Sequence, residues 1–153
     1  MKIYTQEIKL VNLKKTEQIG FQLGQRLKGG EIIVLNGDLG SGKTTLTTSI
    51  VKGSGSLDQV NSPSFLIKNQ YDCPNFIIHH YDFFRLSDPG LMKNDLIEII
   101  NNGRDVIIIE WAQIINDLIV KDYLNIDFVI DNHDSRILKF KCHNNLKYLI
   151  DLL

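Results

Sequence analysis

The run Gly37-Asp38-Leu39-Gly40-Ser41-Gly42-Lys43-Thr44 matches the phosphate-binding loop pattern G-x-x-x-x-G-K-[ST] at every fixed position. Its glycines let the backbone curl until successive N–H groups point inward, and an anion can then sit against them at the start of the next helix. That geometry demands a strand before the loop and a helix after it. Residues 31–35, Glu-Ile-Ile-Val-Leu, have the apolar run of a buried strand, and residues 43–52 suit a helix. Lys43 supplies a mobile point charge for the outer phosphates, and the Thr44 hydroxyl can complete the octahedral oxygen shell of a magnesium ion. Strand, loop and helix in register predict binding of a nucleoside triphosphate.

The rest of the chain extends this unit into a layered domain. Residues 2–10 alternate as a strand, with Ile3, Ile8 and Leu10 as its apolar positions. Thr16 is the expected N-cap of a helix running to about residue 28, because Ile19, Leu23 and Leu27 recur at helical spacing and Gly29-Gly30 ends the run. Past the loop helix, Gly53-Ser54-Gly55-Ser56 and Asn61-Ser62-Pro63-Ser64 carry turn chemistry and little to bury. Residues 65–71 and 76–84 read as two strands of a hairpin around Asp72-Cys73-Pro74-Asn75. Ser87-Asp88-Pro89 opens a helix whose stripe is Met92, Leu96, Ile99 and Ile100, ending before Asn102-Gly103. Val106-Ile107-Ile108-Ile109 has the pattern of a strand buried on both faces of a parallel sheet. Residues 125–130 and 136–142 add two strands, and Leu146, Leu149, Ile150 and Leu153 are spaced for a short amphipathic helix. The predicted fold class is α/β, a single P-loop NTPase-like domain over residues 1–153 with a central, mostly parallel sheet and helices on both faces.

A chain of 153 residues fits one such domain and is short for two. The net charge of −1 argues against a protein that grips a nucleic-acid backbone by itself, so any RNA it serves is expected to be held by a partner. No apolar run approaches the roughly 18 residues of a membrane span, and the N-terminus does not resemble a signal peptide. A cytoplasmic protein is expected. Cys73 and Cys142 each lack a second cysteine at metal or redox spacing, so reduced, unpaired thiols are expected; His143 beside Cys142 is a pair and not a ligand set.

A phosphate loop needs an acidic group near the metal, usually at the end of a neighbouring buried strand. Glu110 follows Val106-Ile107-Ile108-Ile109 directly, so its carboxylate should emerge at a strand's C-terminal end, where open α/β sheets bind ligands. Asp82 is a second candidate, and the strand period puts Ile78, His80 and Asp82 on one face. His80 could assist proton transfer or bond to Asp82; the alternative is a packing histidine. Trp111 either fills the core rim or gates the nucleotide or a partner. Ser62 and Ser64 could close over a phosphate as a switch does, or merely serve a turn. Arg85 could neutralise transition-state charge, although an arginine just past a strand is usually a solvated surface residue.

Taken together, the loop Gly-Asp-Leu-Gly-Ser-Gly-Lys-Thr-Thr, Ser62-Pro63-Ser64-Phe65, His80-Tyr81-Asp82-Phe83-Phe84-Arg85-Leu86 and Ile109-Glu110-Trp111 resemble, in order and spacing, the TsaE (YjeE) family over roughly residues 16–136. That is the family of small bacterial ATPases needed for threonylcarbamoyladenosine formation in tRNA. The resemblance implies that Lys43 holds phosphates, that Thr44 and Glu110 ligate magnesium, and that Asp82 is the carboxylate required for hydrolysis. It extends the ATP or ADP contacts to residues 37–45, including Thr45, and to Arg136 near the base or ribose. Ser62 and Ser64 fall in the family's mobile loop, and Trp111 matches its tryptophan near the nucleotide. The implied partner is a TsaB–TsaD pair that transfers the threonylcarbamoyl group, with no membrane contact and a monomer when alone. Three departures stand out: Ser64 replaces a common threonine, Phe84 a common tyrosine, and Asn94-Asp95 lies where a leucine-glycine step is usual.

Two other readings fit the residues less fully. A small-molecule kinase would need an arginine-bearing lid and an acceptor site, and neither is visible. A regulatory module would hold nucleotide without useful turnover. No Asn-Lys-x-Asp segment for guanine recognition occurs.

Overall fold

The structure, a computed structural model, describes residues 2–38, 40–61, 68–84, 90–131, 135–151 and 153. In chain order its elements are β1 (Ile3–Leu10), α1 (Leu13–Arg26), β2 (Ile32–Asn36), α2 (Lys43–Gly53), β3 (Lys68–Asp72), β4 (Ile77–Asp82), α3 (Leu91–Asn102), β5 (Val106–Glu110), β6 (Leu124–Ile130) and β7 (Arg136–His143). Short 3₁₀ segments cover Ala112–Leu118 and Asn144–Leu149.

The strands form one sheet in the order β1-β7-β6-β2-β5-β4-β3. Its centre, β6-β2-β5-β4, is parallel throughout. Antiparallel strands finish both edges: β3 returns on β4, and β7 lies between β6 and β1. The expected mixed α/β architecture is therefore present, with its parallel pairing concentrated where the apolar runs are unbroken. Every residue of Val106–Glu110 is buried, because both faces of β5 are covered.

Strand alternation sorts the core into two clusters. Ile33, Leu35, Ile78, Val106 and Ile108 face α1 and α2, joined by Ile19, Leu23, Leu46 and Ile50. Ile32, Val34, Tyr81, Ile107 and Ile109 face the other way, against Leu96 and Ile100 of α3 and Ile115 of the first 3₁₀ segment. The helix α2 that opens with Lys43 thus lies over the same face that Ile78, Ile108 and their same-parity neighbours present.

Three local expectations are corrected. The N-cap of α1 is Asn12, whose Oδ1 accepts the Lys15 N–H at 2.9 Å, while Thr16 is buried inside the helix. On β1 the inward phase is Tyr4, Gln6, Ile8 and Leu10, so Ile3 faces solvent. The C-terminal apolar residues close as a 3₁₀ segment, burying Leu146 and Leu149. The helix start expected at Ser87-Asp88-Pro89 lies outside the described residues. No helix among the described residues is long and apolar enough to cross a membrane.

Candidate functional site

The glycine loop leaves the C-terminal end of β2 and enters α2 at Lys43. Two of its glycines are required, one by space and one by backbone conformation. A Cβ on Gly37 would lie 2.7 Å from Ser41 Oγ and 2.9 Å from Phe128 Cβ. Gly42 has φ 110°, a left-handed conformation that any side chain would strain, although a Cβ there would meet the Phe128 ring and Arg136 Nη1 only at ordinary contact distances of 3.4 and 3.6 Å. Ser41 Oγ is buried with no hydrogen-bond partner among the described residues. A buried orphan hydroxyl in a glycine cradle is a site for an outside acceptor, and a phosphate oxygen supplies one. The donor set therefore fits a nucleotide's phosphates. Leu39 lies outside the described residues.

Lys43 is buried, with its Nζ donating to the carbonyl oxygens of Gly37 (2.5 Å) and Asp38 (2.9 Å). Burial pulls its pKa below the ordinary lysine value, and the carboxylates of Glu110, Asp82 and Asp38 pull the other way. All three acids are thus within electrostatic reach of the ammonium. The same Nζ stands 5.1 Å from the centroid of the Trp111 ring, in cation–π geometry. Trp111 itself is at φ 58° and ψ 52°, the one non-glycine residue with positive φ among those described. Holding an aromatic there costs on the order of 1–3 kcal/mol. The ring is retained against Phe84, centroid to centroid 4.8 Å.

Asp82 and Glu110 end adjacent parallel strands and are paired in register, so their side chains leave the sheet side by side on the α2 face. Both are buried, at 5% and 3% exposure. Asp82 Oδ1 accepts the Phe84 N–H at 2.9 Å, and the Glu110 carbonyl accepts the Phe83 N–H at 3.1 Å. Glu110 is also in register with Leu35, near the end of β2. Thr44 follows Lys43 in the first turn of α2, and Arg136 and Thr45 line a cleft of about 310 Å³ with Asn12, Ser41 and Gly42. Among the described residues no three His, Cys, Asp or Glu side chains converge on one point. An ion here would therefore have to combine Glu110 with the Thr44 hydroxyl and oxygens of a nucleotide and water, which is what magnesium accepts.

Of the roles the sequence left open for His80, a bond to Asp82 is not the one observed. His80 Nε2 meets Glu110 Oε2 at 2.9 Å, because Glu110 is the diagonal neighbour across β5 and Asp82 Oδ1 is turned to the backbone. Tyr71, which sequence reasoning did not single out, closes the other side of the ring with Oη 3.3 Å from Nδ1. Its signal was available: it is the one aromatic in the short edge strand β3, on the buried phase. Ser62, Ser64 and Arg85 lie outside the described residues.

Strand, glycine loop, helix and a pair of strand-end carboxylates on a parallel sheet define an α/β protein of the phosphate-loop type. The family model described as Threonylcarbamoyl adenosine biosynthesis protein TsaE matches residues 10–138, and the chain belongs to that family. It is 33% identical over 145 residues to the tRNA threonylcarbamoyladenosine biosynthesis protein TsaE of Rickettsia felis, covering 94% of this chain and 84% of the relative. The protein of that name from Bacillus subtilis is 32% identical over 136 residues, 88% of this chain and 84% of the relative. The crystal structure of Bacillus subtilis YdiB superposes with a TM-score of 0.77 at 26% identity, covering 97% of this chain and 93% of that one.

Proposed function

We propose that this protein binds and hydrolyses ATP, with magnesium, in support of threonylcarbamoyl modification of tRNA adenosine. The observation that carries the reading is the meeting of three groups: Lys43 at the head of α2, with Asp82 and Glu110 in register beneath it. The loop N–H groups and Lys43 would hold the phosphates, and the cleft beside Arg136 and Thr45 would take the ribose and base. Thr44 and Glu110 would hold the ion, which when bound supplies positive charge to the phosphate oxygens. Asp82 would orient a water in line with the terminal phosphorus, so that a new O–P bond forms as the bridging P–O bond breaks and the water's proton passes to an oxygen of the released phosphate. Lys43 would neutralise charge on the departing ADP.

A TsaB–TsaD type complex is the partner this reading requires, since a chain of net charge −1 has little to offer a tRNA backbone directly. A role in tRNA modification would put the protein in the cytoplasm. Equilibrium dialysis with labelled ATP should show magnesium-dependent binding by the wild type and none by Lys43→Ala. Phosphate release should be slow for the protein alone. In Asp82→Ala it should vanish while nucleotide binding survives, and tRNA modification should be lost. Nucleotide binding that is absent, or indifferent to Lys43→Ala, overturns the proposal. Modification intact in Asp82→Ala would leave only a nucleotide-binding module.

A further inference from the structure

We propose that His80 is a positioning residue for the metal-ligating carboxylate, holding Glu110 through one oxygen so that the other is aimed at the ion; this rests on the nucleotide reading above. The arrangement follows from the sheet. His80 on β4 is in register with Ile108, which places Glu110 two residues further along the adjacent strand on the same face. Tyr71 on β3 is in register with Ile78, two residues before His80. Three neighbouring strands thus contribute Glu110, His80 and Tyr71 to one buried row.

The histidine is completely buried and Glu110 is 3% exposed. A carboxylate only accepts, so the proton in the 2.9 Å contact is carried by His80 Nε2 and donated to Glu110 Oε2. Tyr71 Oη donates its one proton to the Asn61 carbonyl at 3.0 Å, which Asn69 Nδ2 joins at 2.9 Å, and sets its oxygen 3.3 Å from His80 Nδ1 at the opposite edge of the ring. The ring thus has a polar atom against each of its two nitrogens. With Oε2 committed, Oε1 is the oxygen left for a ligand, and the glutamate torsions are ordered before any ion arrives. The neighbouring His79 shows the contrast: its Nε2 bonds to Asp105 at 2.9 Å, and its Nδ1 is buried without a hydrogen-bond partner among the described residues. Among the described residues only His80, next to the proposed ion ligand, has a polar neighbour at both ring nitrogens.

The test is a magnesium titration of the protein with the fluorescent nucleotide mant-ADP, paired with mant-ADP affinity in EDTA. His80→Ala should raise the magnesium midpoint about 10- to 100-fold, the usual cost of losing an outer partner of a ligand, while affinity in EDTA stays as in the wild type. His80→Gln, whose side-chain N–H can take the place of Nε2–H, should recover most of the loss. Tyr71→Phe, which removes one hydroxyl, should shift the midpoint in the same direction by less. A magnesium midpoint unchanged in His80→Ala while Glu110→Gln shifts it overturns the proposal. So does an equal loss in magnesium and in EDTA, which is the mark of a merely structural histidine. Should His80→Ala fail to fold, the other two variants decide: wild-type behaviour of Tyr71→Phe, or a folded His80→Gln as impaired as Glu110→Gln, overturns it. If Glu110→Gln itself has no effect, the metal assignment falls first and takes this with it.

Discussion

Replacing Gly24 by alanine sets two well-measured effects against each other. Glycine inside a helix costs about 0.8–1.0 kcal/mol relative to alanine, so an isolated α1 would gain that much from Gly24→Ala. In the folded protein a Cβ at this position would lie 2.1 Å from the Ile50 carbonyl oxygen, 2.8 Å from the Ser54 nitrogen and 2.9 Å from the Gly53 carbonyl carbon. All three are backbone atoms of α2 or its C-terminus, so no side chain can swing aside. Carbon–oxygen contacts of this kind settle near 3.3 Å or beyond. The two helices must therefore separate by roughly 1 Å at their crossing, and Leu46 and Ile50, both fully buried, would lose close contacts.

Overpacking of this sort costs about 1–3 kcal/mol and occasionally more, and a backbone-to-backbone clash belongs at the upper end. After the helix gain is subtracted, a net loss of about 2 kcal/mol is expected, or roughly 4–8 °C in melting temperature for a domain of this size. Gln25→Ala, on the exposed side of the same turn, serves as the control and should stay within about 0.5 kcal/mol. Circular-dichroism melts of the two variants decide the matter. Because α2 carries Lys43 and Thr44 at its other end, Gly24→Ala should also weaken nucleotide binding. A variant that melts at or above the wild-type temperature refutes the reasoning.

Two further outcomes can be checked without nucleotide. Glu31 is buried, and its carboxylate accepts the Lys28 and Gly29 N–H groups and the Tyr148 hydroxyl. Glu31→Gln turns one acceptor into a donor facing donors, so urea melts should show a loss of about 1–3 kcal/mol; an unchanged midpoint contradicts this. Burial alone would raise the Asp105 carboxyl, but the His79 hydrogen bond, the Ile77 N–H and the neighbouring His79 and Arg104 charges outweigh it and hold the pKa below the ordinary value. A depressed carboxylate contributes stability in full above its unfolded pKa, near 3.9, and loses it as pH falls through the lower folded value. The melting-temperature gap between wild type and Asp105→Asn should accordingly be widest at pH 6 and shrink toward pH 2; a gap that does not change with pH is inconsistent with this origin.

What the sequence made legible was whatever is decided locally. The loop, the strand before it and the helix after it are written in contiguous residues, as are the buried β5 run and the α3 stripe, which ends where Gly103 closes the helix. Less was visible where two local solutions are nearly equal. Asn12 and Thr16 are both good caps, and the periodic residues Ile19 and Leu23 fit a helix begun at either; the packing of α1 on α2, which buries Thr16, selects Asn12. Residues 2–10 offer two strand phases, and the choice that packs Tyr4 half-buried against the core and turns Ile3 outward comes from pairing with β7, where Tyr4 stands opposite the buried Cys142. The approach of α1 and α2 at Gly20 and Gly24 carries no periodic signal, because the absence of a side chain marks no face.

The site belongs to this last kind of information. Asp82 and Glu110 come from separate strands with α3 between them in the chain, and spacing in sequence says nothing of their distance in space. What joins them is the sheet order, in which β5 lies between β2 and β4 and lines up Leu35, Glu110 and Asp82 across three strand ends. The chain leaves β2 and builds β4 and β5 on one side before crossing to β6 on the other, so the glycine loop stands at the point where the direction of winding changes. Register then matters more than residue identity. A slip of one residue between β4 and β5 would keep every aliphatic side chain in an apolar layer but turn the carboxylates to opposite faces, separating Glu110 from both His80 and the α2 terminus. The polar row is compatible with one register only, and the hydrogen bond from His80 to Glu110 favours the register that the functional site needs.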